Sequence, residues 1–191
     1  MRKKILVHCF LFIILITIGA CSSKSEDDPD IQAIETVLKK ALTAPNKKLV
    51  AALLKPIEQL QSGEEGVESA VLESNKEIEI LLKETYGNYF TDYGYEKFVI
   101  QQSIPSSYSL DADGAGYQIA VKDSKVIADK ERINSYSFEV TLEYNTNEDE
   151  TKIIVATGRV ECENGKITSL DINDDKGLLE EMFFKTNKIE H

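Results

Sequence analysis

The chain predicts an α+β fold, with N-terminal helices packed on a curved antiparallel β-meander, and three observations carry that prediction. Apolar residues recur at helical spacing from Ile31 to Leu82, with a period near 3.6. From Tyr117 onwards the period falls to two. Asn164-Gly165, between two alternating runs, is a strong hairpin signal, because a type I′ turn needs positive φ at both central residues. Helices followed by strands joined by short loops put the helices on one face of an antiparallel sheet.

Residues 1–20 stand outside that fold. Arg2, Lys3 and Lys4 precede an apolar run from Ile5 to Ile18, and small residues lead to Cys21. This is the layout of a signal peptide. The run is short of the ~20 apolar residues that a membrane span requires, and His8 interrupts it. Ile18-Gly19-Ala20-Cys21 resembles the lipobox of bacterial lipoproteins. The resemblance implies cleavage after Gly19 and Ala20 and diacylation of Cys21 through its sulfur. Two acyl chains hold a protein to a membrane stably where one does not. The expected location is the extracytoplasmic face of a bacterial cell membrane.

The whole chain has 33 acidic and 22 basic residues, a net charge of −11. The first twenty residues contain three bases and no acid, so cleavage leaves an even more acidic chain. Such a surface repels nucleic acid. Cleavage also takes His8 and Cys9, and lipid occupies Cys21, so the body keeps Cys162 and the terminal His191. Those residues cannot supply a His/Cys metal cluster, a disulfide framework or, unless the C-terminus folds back, a nucleophile–His pair. No catalytic residue, metal ligand or cofactor is therefore assigned, and Cys162 reads as a small core residue on the strand face of Val160.

In chain order, residues 21–30 are, apart from Lys24, small, acidic or proline and read as a flexible tether, and residues 31–191 read as one domain. Ile31, Ile34, Val37, Leu38, Ala41 and Leu42 form the first helical stripe, which ends at Ala44-Pro45. Leu49, Val50, Leu53, Leu54, Ile57 and Leu60 form a second from Asn46, with Pro56 as a kink or the start of a new turn. After the loop Ser62–Gly66, Ser74 and Glu77 have capping-box spacing and open a third helix through Ile78, Leu81 and Leu82. Tyr86, Tyr89, Phe90, Tyr93, Tyr95 and Phe98 then supply six of the fifteen aromatic residues, before a short helix to Gln102 that ends at Ile104-Pro105.

Weak strands are expected at Tyr117–Val121 and Lys125–Glu131, and a clean half-buried strand at Tyr136–Tyr144. Thr151–Glu163 is the next strand, with Gly158 a candidate bulge, and Lys166–Ile172 returns after the Asn164-Gly165 turn. A short amphipathic helix from about Lys176 to Phe184 closes the chain.

Tyr89-Phe90-Thr91-Asp92-Tyr93-Gly94-Tyr95-Glu96-Lys97-Phe98, Tyr136-Ser137-Phe138-Glu139-Val140, Gly158-Arg159-Val160 and Asn164-Gly165-Lys166-Ile167 resemble the small NTF2-like domains of Gram-positive envelope lipoproteins. The resemblance spans roughly residues 31 to 173; a cystatin-like sheet around one helix is the alternative architecture. It implies a cone-shaped fold whose pocket holds a small apolar ligand, hosts acid–base chemistry or is simply core. Tyr86, Tyr89, Phe90, Tyr93, Tyr95, Phe98, Tyr136 and Phe138 are the candidate pocket residues, since tyrosine combines an apolar body with a polar tip. The expected function is a membrane-anchored, non-enzymatic module that binds a small ligand or an envelope protein. The alternative is a small isomerase or hydrolyase acting through a pocket carboxylate and a tyrosine.

Two acidic runs complete the candidates. Asp111-Ala112-Asp113-Gly114 has the look of a calcium loop, but Lys122 stands where the bidentate Glu belongs, so a turn before Tyr117 is expected instead. Asp171, Asn173, Asp174 and Asp175 are either a weak cation site or a cap between the last strand and the last helix, and the cap is expected.

Overall fold

A computed structural model of the chain describes residues 28–63, 67–146 and 150–187. Gly19, Ala20, Cys21 and His191 lie outside the described residues, as does the tether up to residue 27. The described body is α+β, with helices packed on a four-stranded antiparallel sheet of order β1-β2-β3-β4.

Helix α1 spans Pro29–Leu42 and begins inside the stretch that composition assigns to the tether. Asp28 is its N-cap, its side chain accepting from Asp30 N at 2.9 Å, and proline suits the first helical position because no N–H is needed there. Ile34, Val37, Leu38, Ala41 and Leu42 are buried, as their spacing predicts.

Helix α2 (Lys47–Ser62) is capped by the Asn46 side chain, which accepts from Leu49 N at 3.2 Å. It runs continuously through Pro56, which is buried. Its expected apolar stripe does not stay inside: Leu49 and Val50 are buried, whereas Ile57 is 50% and Leu60 62% exposed. Helix α3 (Val67–Tyr86) packs on α2, but beyond Pro56 the stripe outruns the core.

Ser74 does not open α3, which starts a full seven residues earlier at Val67. The Ser74 hydroxyl is buried in the helix and donates to Gln59 Oε1 at 2.9 Å, and Lys55 pairs with Glu77 at 2.7 Å alongside. Both members of the apparent capping box therefore bind α2 instead.

A short α4 (Asp92–Tyr95) leads into a π-helix, Glu96–Gln101. Ile104-Pro105 opens helix α5, Ile104–Ala115, rather than ending the helical region. Ser103 takes positive φ before it, and Pro105 sits in its first turn.

Strand β1 is one strand, Gln118–Ala128, with a register shift between Val121 and Asp123 where the sequence suggests two separate strands. β2 (Ser135–Asn145) buries Tyr136, Phe138, Val140, Leu142 and Tyr144 on the helix-covered face. β3 (Thr151–Glu163) buries Ala156, Val160 and Cys162 on the same face. The β3–β4 turn has φ of 52° at Asn164 and 79° at Gly165, and β4 is Lys166–Asp174. Gly158 lies opposite Phe138; a Cβ there would come within 2.4 Å of that ring and 2.2 Å of Asp171 O, so only glycine lets β3 approach so closely.

Each edge strand of the sheet is bridged at one point. Ala44 and Ile119 exchange backbone hydrogen bonds across the β1 edge, while Ile167 donates to Tyr89 O and accepts from Thr91 N across the β4 edge. These bridges pair the edge backbone groups of Ile119 and Ile167, which would otherwise be open to another strand. Helix α6 (Leu178–Asn187) closes the described body, buries Leu178 and Met182, and packs on α5.

Candidate functional site

The eight aromatic candidates divide between core and surface. Tyr86, Phe90, Tyr95, Phe98, Tyr136 and Phe138 are buried in one cluster with α1 and the sheet. Phe90 and Phe98 stack with ring centroids 5.4 Å apart. Tyr89 is half-buried, with Lys40 over its ring at 5.8 Å, and Tyr93 is 72% exposed. Burial drives the Tyr86 and Tyr136 hydroxyls far above the usual phenol range and holds them protonated.

One tyrosine–carboxylate contact lies at the start of α1. Tyr136 donates to Asp30 Oδ2 at 2.9 Å, while Asp30 Oδ1 is buried without a hydrogen bond among the described residues. Cys162 is nearby; burial first, then the charges of Asp30 and Asp28, push its thiol up to about 12. At neutral pH it is protonated and unreactive, in keeping with a core residue.

An open cleft of about 570 Å³ lies elsewhere, where one side of α5, the end of β4 and the start of α6 meet. Ile104, Ile172, Leu179 and Phe183 give it apolar walls, and Tyr108, Asp111, Asp175 and Glu180 give it polar ones. Tyr108 is buried and donates to Asp175 Oδ2 at 2.7 Å. Asp175 also accepts from Gly177 N and Leu179 N, both at 3.0 Å, so it caps α6 while orienting the Tyr108 ring. A second such contact, Tyr117 to Glu181 at 2.7 Å, ties α6 to the start of β1.

Asp111 points to this cleft with burial as the single cause raising its pKa above the usual carboxylate value. Phe183 remains 52% exposed and meets Phe184 edge to face at 5.9 Å.

Both acidic runs resolve into local structure. Asp111-Ala112-Asp113-Gly114 is the last turn of α5 rather than a loop before the strand, and Asp113 pairs with Lys47. In the second run, Asp175 is the expected cap and Asp174 pairs with Lys176 through a short contact. Asp171 receives Lys97 Nζ at 2.9 and 3.1 Å, Ser169 Oγ at 2.9 Å and Gln102 Nε2 at 3.1 Å. Burial works to raise its pKa, but these donors outweigh it and hold the carboxyl below its usual value. Among the described residues no cluster of three or more His, Cys, Asp or Glu is arranged to hold a metal ion.

Sequence reasoning did not single out Tyr108 or Phe183, and it placed Asp111 in a turn before Tyr117 rather than on a helix that walls the cleft. The available signal was Ser103-Ile104-Pro105, since proline is at home in a first helical turn.

No family model matches the chain, and no curated protein matches it. Among solved structures it is similar to the NMR solution structure of the transfer protein TraH from the Gram-positive conjugative plasmid pIP501, at 12% identity. That likeness covers 82% of this chain and 98% of the other, with a TM-score of 0.41. Among the described residues no helix is long and apolar enough to cross a membrane.

Proposed function

We propose that this chain is a lipid-anchored protein on the extracytoplasmic face of a bacterial membrane, whose body is a non-enzymatic, NTF2-like module that binds a small ligand in the cleft between α5, β4 and α6. The lipobox-like Ile18-Gly19-Ala20-Cys21 supports the anchor, and helices laid on one face of an antiparallel meander support the NTF2-like assignment. The observation that carries binding is the cleft. Its volume of about 570 Å³ suits a small molecule, and it leaves Phe183 half exposed on its wall. The tyrosine and the aspartate that meet in it are already occupied in holding α6, which favours a recess for binding over a reacting pair.

Purification of the full chain from membranes, followed by mass spectrometry, tests both parts. The anchored protein carries a diacylglyceryl group on Cys21, and Cys21→Ser yields uncleaved precursor; normal membrane partition and mature mass for that variant would remove the anchor. A small molecule should accompany the wild type and be lost from Phe183→Ala. Equal retention by both would exclude the cleft.

A second reading, a small isomerase or hydrolyase, is favoured by one feature, the buried unpaired oxygen of Asp30 beside Tyr136. It requires bound molecules to occur as a pair that the wild type interconverts and Asp30→Asn does not.

A further inference from the structure

We infer that the ligand of this cleft is a small organic amine, an ammonium group on an apolar or aromatic body. The inference rests on the cleft being a binding site and adds the chemistry that fits it. None of the residues lining it is basic. Its carboxylates are not equivalent. Asp174 is neutralised by Lys176, and Asp175 is spent on Tyr108 and two backbone N–H groups of α6. Asp111 is different: burial alone raises its pKa, no hydrogen bond or ion pair to its carboxylate is present among the described residues, and Thr186 binds only its backbone carbonyl. A partly desolvated carboxylate without a partner is costly, and a cation from outside the chain relieves that cost. Glu180, exposed on the facing helix, adds a second negative charge on the opposite wall.

The apolar half of the site sets the rest of the ligand. Phe183 presents an exposed ring beside Ile104, Ile172 and Leu179, the surface an aromatic or aliphatic body covers. An anion would meet Asp111 and Glu180 with no basic side chain in the lining to offset them, and an inorganic cation would leave the apolar wall in water. A charged head on an apolar body uses both halves.

The test is calorimetric titration of the full chain in nanodiscs with phenethylamine, and with 2-phenylethanol and 3-phenylpropionate as neutral and anionic counterparts. The amine should bind and the carboxylate should not. Asp111→Asn should weaken the amine about tenfold, the effect of losing one charge-assisted contact. Glu73→Gln, which removes a remote charge on α3, should leave binding unchanged and so separates the site from the overall negative field. Equal affinity for amine and alcohol, both lost in Phe183→Ala, would overturn the amine assignment while the binding site stands. No binding of any probe would overturn both. A blocked lysine peptide that binds where phenethylamine does not would overturn the small-molecule assignment in favour of a protein side chain.

Discussion

Two parts of the molecule are lined by aromatic and aliphatic side chains, and one is closed while the other is open. On the helix-covered face of the sheet, Phe138 packs over Gly158, Phe90 stacks on Phe98, and α1 brings Ile34, Leu38 and Leu42 against them. At the end of β4, the chain turns at Gly177 into α6, and Tyr108 is the large side chain that spans the gap by reaching Asp175. Aromatic density therefore does not locate a recess. In the sheet interior the rings fill space, and the cleft exists because a strand ends before two helices converge.

The largest way to break this contrast is to empty the closed region. Phe138→Ala should cost about 3–5 kcal/mol of folding stability, measured by chemical denaturation, because the ring is fully buried and its neighbours cannot collapse on the void. A loss under 1 kcal/mol, on the order of an exposed site, would mean the interior is not tightly filled. Gly158→Ala approaches the same contact from the other side. It should cost about 1–3 kcal/mol by overpacking, since the new methyl meets the Asp171 carbonyl as well as the ring.

Lys97→Ala, between the two regions, should cost at most about 1 kcal/mol, the usual range for a partly exposed pair. Its pH dependence has a definite sign. Asp171 has a lowered pKa when folded, so its contribution is present above the unfolded carboxylate value and is lost as pH falls through the folded one. The wild type should therefore lose stability on acidification in that window more steeply than Lys97→Ala; parallel profiles would show that Lys97 does not hold Asp171. The smallest effect belongs to the open region. Phe183→Ala should change stability by about 0.5 kcal/mol or less, because half of the ring is already in solvent, and its consequence should be confined to binding. A large loss of stability would make Phe183 a core residue and erase the contrast.

Strand residues from Tyr136 onwards were legible with little error, whereas β1 reads in the sequence as two strands. Thr151–Glu163 and the Asn164-Gly165 turn agree with the structure residue for residue, and Tyr136 to Tyr144 alternate inward and outward as written. The helical half was less legible where a local rule met a stronger contact. Ser74 and Glu77 have capping spacing, yet Gln59 and Lys55 claim them, and Asp111-Ala112-Asp113-Gly114 has turn composition inside a helix. The cleft was least legible, because it is built from residues other than the eight aromatic candidates, six of which are buried in the body.

The sequence by itself determined the α+β class, the antiparallel meander and the faces of its central strands, because periodicity and turn chemistry act over a few residues. It is also the sole source of the lipobox-like run that ends at Cys21. Tertiary structure alone decided that Phe98 packs on Phe90 inside the body, that α3 begins at Val67, and that Asp111 and Phe183 share a cleft. Those outcomes depend on which surfaces meet between separate elements of the chain, and no local pattern contains that information.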